Sequence, residues 1–310
     1  MSASGRTPAG AGEDAFLERL VAARDEASDL IVPIGDDAAV FRPPAGMDVV
    51  VAADAIAEGV HFFAGTDPFL IGRKALAVNL SDIAAMGAVP RFLFATASLP
   101  RGFAPEFADR VTAGLRSLAA EHGVLLAGGD TITHDGPFGL SVTVVGYVER
   151  DGAIRRDGAR PGDVVAVTGA LGGSLASGRH LSFEPQLKVG RLLRASGPPS
   201  AMMDVSDGLL LDLDRLCRRS GVGAVLEAEA IPIHADVLAG PGDPLERALT
   251  DGEDFVLLFT ASPEAFGRIR AVLKDDPTPI KIGEISTVPG IRIRTGGVER
   301  GVEPRGYVHG

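Results

Sequence analysis

A chain with one cysteine, Cys217, cannot close an internal disulfide, so nothing in it points to an oxidising compartment and the cytoplasm is the expected location. No apolar run approaches the roughly 20 residues needed to span a bilayer. The small, Gly/Pro-rich opening MSASGRTPAGAG also lacks the apolar centre of a signal peptide, and residues 1–12 are expected to be a disordered tail. Basic residues are in deficit: 30 Lys+Arg stand against 41 Asp+Glu, giving a formal charge of -11. That balance argues against nucleic acid or an anionic membrane as a partner. Three familiar signatures are missing as well: G-x-x-x-x-G-K-S/T, a strand-linked G-x-G-x-x-G, and H-E-x-x-H. Cys217 itself, in the helical pattern DRLCRR, reads as a small packing residue.

What is present is enough apolar material, 45% of 310 residues, to build a substantial core, and the length suits two domains. Short apolar or alternating runs at Val49–Ala53, Phe92–Thr96, Val124–Ala127 and Leu140–Val145 predict strands. Between them, Leu70 to Met86 and Phe103 to His122 carry helical spacing. The charged, Gly-rich passage ERDGAIRRDGARPGD at 149–163 marks the expected domain boundary, dividing 13–149 from 150–310. A second α/β pattern follows, with strands at Val164–Val167 and Phe255–Phe259 and helices at Gly208–Arg219 and Pro263–Leu273. No internal repeat stands out.

The aspartates share a local grammar: an apolar run, one or two small residues, then Asp at the mouth of a turn. Asp36 and Asp37 follow Ile34-Gly35, Asp54 follows VVVAA, Asp130 follows LLAGG, and Asp204 and Asp207 sit in AMMDVSDG. Asp82, in NLSDIAAMG, lies within a helical stretch instead. Carboxylates held at strand ends can converge on hydrated magnesium ions, which turn an acidic pocket into a phosphate-binding one. The plainer reading is that Asp favours turns and helix N-caps. It loses force for the whole set, because unshielded carboxylates repel. The run Thr168–Ser174, TGALGGS, follows a predicted strand; its N–H groups either face a phosphate or simply make a strand-to-helix turn.

Taken in order, IGDDAAV (34–40), ADAIAEGVHF (53–62), RKALAVNLSDIAAMGAVP (73–90), AGGDT (127–131), DGARPGD (157–163), DVSDGL (204–209) and DGEDF (251–255) resemble the thiamine-monophosphate kinases of the aminoimidazole ribonucleotide synthetase superfamily. The resemblance implies an α/β, two-domain fold of that superfamily. Its N-terminal domain would bind ATP and metal and pair with its twin in a homodimer, with ATP in a groove reaching a C-terminal α/β domain that completes the active site. The implied reaction is transfer of the γ-phosphoryl group of ATP to thiamine monophosphate, assisted by several magnesium ions. Carried over by motif, Asp37, Asp54, Asp82, Asp130, Asp204 and Asp207 would hold metal, and Asp37, Asp82, Asp130 and Asp204 would be catalytic. Asp36 would brace its turn. Gly129, Asp130, Arg156 and Ser206 would lie near ATP, and His61, Glu253 and Tyr307 near the substrate.

Phosphoryl transfer to a phosphate oxygen suits these residue types. The acceptor is already an anion, so positioning and charge neutralisation dominate over general-base help. Individual residues keep plainer readings: His61 as a packed histidine between Val60 and Phe62, Glu253 as a solvated turn residue, Arg156 as one of several surface arginines. Departures from the family pattern are Ala52-Ala53 in place of hydroxyl residues before Asp54, Thr133 where an arginine is usual, and Pro185-Gln186 for a Pro-Arg pair. They leave open two other outcomes: another ATP-dependent synthetase or cyclase of the superfamily, or a nucleotide-binding homologue with weakened catalysis.

Overall fold

The computed structural model describes Ala22 and residues 25–238, 240–274 and 277–308; the expected tail at 1–12 lies outside them. The chain clusters into two units, residues up to Asn79 with Pro90–Gly146, and Leu80–Val89 with the described residues from Tyr147 onward.

In the first unit, β1 (Leu30–Val32) and β2 (Val40–Phe41) form a short antiparallel ribbon. The runs that alternate or carry β-branched residues become β3 (Met47–Ala57), then, after helix α1 (Pro68–Ala85), β4 (Val89–Pro100). Helix α2 (Pro105–His122) leads to β5 (Leu125–His134), and β6 (Gly139–Glu149) follows. The four long strands form a sheet in the order β3-β6-β4-β5, with β4 and β5 parallel across the α2 crossover. Pro105 occupies the first turn of α2, where its missing N–H costs nothing, and Gly123 closes the helix at φ 67. Helix α2 therefore starts two residues after the predicted Phe103. The paths of α1 and α2 require glycine where they cross: a Cβ on Gly72 would lie 1.9 Å from the Val111 carbonyl, and one on Gly114 1.8 Å from that of Phe69. Ile71, Leu76, Phe92, Leu118, Val142 and Val144 are buried in this unit.

The second unit continues with β7 (Val164–Val167), α3 (Ser174–Ser177), a 3₁₀ turn (Arg179–Leu181), α4 (Leu187–Ala195), β8 (Ala201–Asp204) and α5 (Leu209–Ser220). Then come β9 (Gly223–Glu227), α6 (Ala235–Leu238), α7 (Pro244–Thr250), β10 (Leu257–Ala261), α8 (Pro263–Val272), β11 (Ile280–Ser286), β12 (Gly290–Thr295) and β13 (Val298–Val302). Its seven strands run in the order β13-β12-β9-β11-β7-β10-β8. All four residues of β7 are buried, as its unbroken apolar character suggests, and so are all four of β8, Asp204 at its end included. Helix α5 lays Leu209, Leu213 and Leu216 into the core with Val167, Met203 and Leu258.

Strand β10 begins two residues later than predicted. Glu253 and Phe255 take φ 66 and 51, in the left-handed region that no strand residue adopts, so the extended chain starts only at Leu257.

Candidate active site

Within the first unit, the sequence-selected carboxylates stand on or beside the sheet. Asp36 makes an isolated bridge with Ile34, and Asp37 follows in a bend, so the pair does not sit on a regular strand. The Asp36 carboxylate accepts the Asp37 N–H at 2.8 Å, the bracing role expected of it, and Asp37 is exposed. Asp54 and Asp130 correct the expected grammar: neither ends a strand, because β3 continues to Ala57 and β5 to His134. The Asp54 N–H donates to the Asn79 side chain at 3.1 Å, while Asn79 donates to the Ala75 carbonyl one helical turn back. Asn79, a fully buried polar residue in α1, thereby ties the strand to the helix. Its signal was a poor helix former inside an apolar helix.

Asp130 pairs in register with Thr96 of β4, and Gly129 with Ala95. A Cβ on Gly129 would come within 2.1 Å of the Ala95 carbonyl, so the ladder closes only over glycine. Beside this stretch a pocket of about 70 Å³ opens between the sheet and α2, lined by Ala95, Ala97, Val111, Leu115 and Leu126, with Asp130 and Thr131 as polar edge. His61 Nδ1 accepts the Ala57 N–H at 3.1 Å, which places the ring proton on Nε2. Its carbonyl is held by the buried Lys74 ammonium at 2.7 Å.

Magnesium requires hard oxygen donors. Among the described residues no cationic side chain pairs with Asp37, Asp54 or Asp130, so these carboxylates suit a cation.

Within the second unit a second group forms around the turn after β8. Asp204, the last residue of β8, is buried and accepts the hydroxyl of Ser81 on α1 at 2.6 Å; Asp82 follows on the same helix, half-buried. The turn itself is shaped by Asp212, which sequence reasoning missed. One carboxylate oxygen of Asp212 accepts the N–H groups of Ser206 (3.0 Å) and Asp207 (2.9 Å), and the other meets Arg215 at 2.8 Å. Arg215 also reaches Asp207 at 2.5 Å, so a metal at Asp207 would share it with a guanidinium. Burial pushes the Asp212 carboxyl up to about 7, with the charges of Asp204 and Asp207 adding to the rise.

The same turn gathers two substrate candidates. Glu253 donates its N–H to the Ser206 carbonyl (2.7 Å), and the Tyr307 N–H donates to that of Asp207 (2.9 Å). Asp204, Ser206, Asp207, Glu253 and Tyr307 are thus brought together on one backbone frame. Arg156 is exposed, with its guanidinium unpaired among the described residues, while its carbonyl accepts the Ser220 hydroxyl at 3.0 Å.

The TGALGGS turn settles on the plainer of its two readings. The Gly172 N–H donates to Asp254 at 2.7 Å and the Gly173 N–H to Asp251 at 3.0 Å, and the helix that follows is four residues long. These donors face the chain's own carboxylates.

A parallel crossover unit carrying Gly-Gly-Asp, followed by a seven-stranded unit carrying Asp-x-Ser-Asp-Gly, defines a class of protein. The family description "AIR synthase related protein, N-terminal domain" matches residues 35–148, and its C-terminal counterpart matches 160–296. Over 96% of its length the chain is 40% identical to the thiamine-monophosphate kinase of Rhodopirellula baltica, covering 97% of that protein. The solved thiamine-monophosphate kinase from Stenotrophomonas maltophilia K279a superposes with a TM-score of 0.77 at 35% identity, covering 90% of this chain and 94% of that one. A structure described as AaThiL complexed with AMPPCP and TMP superposes at 0.75 with 27% identity, covering 98% and 99%. The chain belongs to the thiamine-monophosphate kinase family.

Proposed function

We infer that this chain is an ATP-dependent kinase that phosphorylates thiamine monophosphate to thiamine diphosphate. The carrying observation is the 40% identity to a thiamine-monophosphate kinase across almost the full length of both chains. The structure described with AMPPCP and TMP supports the same pair of substrates. A superfamily synthetase or cyclase is not favoured by these relatives.

In the transfer, an oxygen of the acceptor phosphate forms a bond to the γ-phosphorus of ATP while the bond from that phosphorus to the β–γ bridging oxygen breaks, releasing ADP. No side chain needs to take a proton, because the attacking oxygen is already anionic. Asp37, Asp54 and Asp130 of the first unit and Asp82, Asp204 and Asp207 of the second are assigned to magnesium, with Asp37, Asp82, Asp130 and Asp204 most directly at the reacting phosphates. Bound magnesium supplies charge neutralisation for two phosphate groups that otherwise repel. Ala52 and Ala53 carry no side-chain oxygen, so backbone carbonyls are the oxygen donors left there.

Gly129, Asp130, Arg156 and Ser206 are assigned to ATP. Its base is assigned beside the apolar pocket between β5 and α2, and the unpaired Arg156 suits a phosphate oxygen. His61, Glu253 and Tyr307 are assigned to the acceptor, His61 as an Nε2–H donor to an anionic oxygen. The protein would act as a cytoplasmic homodimer paired through the 13–149 domain, with 150–310 supplying the remaining site residues; neither nucleic acid nor a membrane is a partner. Among the described residues no helix is long and apolar enough to cross a membrane.

Incubation of the purified protein with ATP, magnesium and thiamine monophosphate is expected to yield thiamine diphosphate and ADP. A folded, ATP-binding protein that makes no diphosphate would refute the assignment. Release of inorganic phosphate in its place would point to a synthetase.

A further inference from the structure

Three side chains of one short turn meet three consecutive residues of another. Arg179 reaches the fully buried Asp254 carboxylate at 3.1 Å, and His180 Nδ1 lies 3.2 Å from Glu253 Oε2. The Phe183 ring stacks on Phe255 with centroids 4.2 Å apart and planes 12° apart. The segment so gripped is the one with unusual backbone: Glu253 and Phe255 both have φ in the left-handed region, a conformation that persists only when its surroundings over-determine it. Their N–H groups donate to the Ser206 and Val205 carbonyls at 2.7 and 2.8 Å, fixing the same segment from the opposite side.

We propose that the Arg179–Phe183 turn is a positioning element for the phosphate acceptor, with His180 as its working residue. A carboxylate only accepts, so the hydrogen of the His180–Glu253 contact sits on Nδ1, and the imidazole holds one oxygen of Glu253. His180 is only 2% exposed and has no room to follow a mobile carboxylate. Arg179 is itself held, donating to the Gly172 carbonyl at 2.9 Å and to Asp236 at 3.1 Å, so the turn is a rigid platform. The carboxylate it aims is suited to the cationic ring portion of the acceptor and has no part in handling ATP. This rests on the assignment of Glu253 to the acceptor, and it adds the residue that sets the carboxylate's direction.

His180→Leu removes the donor while keeping bulk, and His180→Asn restores a donor, since the amide nitrogen falls where Nδ1 was. With steady-state kinetics, His180→Leu is expected to raise KM for thiamine monophosphate roughly tenfold while KM for ATP and kcat change less than about threefold. His180→Asn is expected to recover most of the loss. A residue serving only stability would not split the two KM values. If the leucine variant does not fold, His180→Gln takes its place, because its donor is displaced towards Nε2. Unchanged KM for thiamine monophosphate in a folded leucine or glutamine variant, or an equal rise in both KM values, overturns the proposal. Glu253→Gln tests the underlying assignment separately. A raised acceptor KM there beside unaffected His180 variants rejects the role of His180 alone, whereas an unchanged one rejects the assignment of Glu253.

Discussion

The Ser81 hydroxyl donates to Asp204 at 2.6 Å, and both residues are buried. A helix residue thus fixes the carboxylate that ends β8. Ser81→Ala leaves an acceptor bond of Asp204 unmade and is expected to cost about 1–3 kcal/mol in urea unfolding and to raise the magnesium concentration for half-maximal rate. Asp204→Asn keeps an acceptor for Ser81 and removes the charge. Its phosphoryl-transfer rate is expected to fall roughly 100-fold or more with little change in unfolding midpoint, and unaltered rates at limiting magnesium would contradict the metal role.

Asp212 is a second support for the same turn. Asp212→Ala strands two backbone N–H groups and removes one of the two carboxylates that Arg215 meets, so a loss of roughly 2–4 kcal/mol is expected. Asp212→Asn keeps one acceptor and is expected to recover at least half of that in the same unfolding measurement. Equal losses in the two variants would show that the amide bonds are not what Asp212 contributes.

The pocket beside Gly129 gives a test of where the nucleotide base sits. Ala97→Ile fills much of about 70 Å³ with a side chain suited to a strand. KM for ATP is expected to rise roughly tenfold or more, while KM for thiamine monophosphate and the melting temperature stay close to those of the parent. Unchanged ATP affinity would move the base elsewhere.

Burial pushes the Asp254 carboxyl from 3.8 up to about 6, against the opposing pull of the Gly172 N–H and Arg179. The folded value lies above the unfolded one, so this group's contribution to stability is full below about pH 4 and is lost as pH rises to about 6. Asp254→Asn cannot ionise. Its stability relative to the parent is therefore expected to climb by up to about 3 kcal/mol between about pH 4 and 6.5 and to stay level above that. A difference that is flat across this window would mean the carboxyl is not raised.

Legibility in the sequence followed the range of the interactions concerned. Val164–Val167 becomes a strand of the same extent, and α2 and α8 appear within two residues of their expected starts, because apolar periodicity and proline act locally. The Phe255–Phe259 run misled by two residues because Glu253 and Phe255 take left-handed backbone that distant groups impose. The aspartates were visible as residue types, yet Asp54 and Asp130 lie inside strands longer than their apolar runs, since ladder pairing with neighbours extends them. Asn79, Ser81, His180 and Asp212 escaped notice. Each acts on a partner that only the tertiary fold brings near, except Asp212, whose partners lie five and six residues back across a turn that had to be seen to be recognised.

The glycine-rich turn at 172–173 shows how a chain excludes solution ligands by occupying its own donors. Asp254 and Asp251 reach these N–H groups as tethered anions, present at an effective concentration of about millimolar or above whatever the surroundings contain. A free phosphate must outcompete both at once. Intramolecular competition thus keeps this turn from becoming a decoy for the nucleotide.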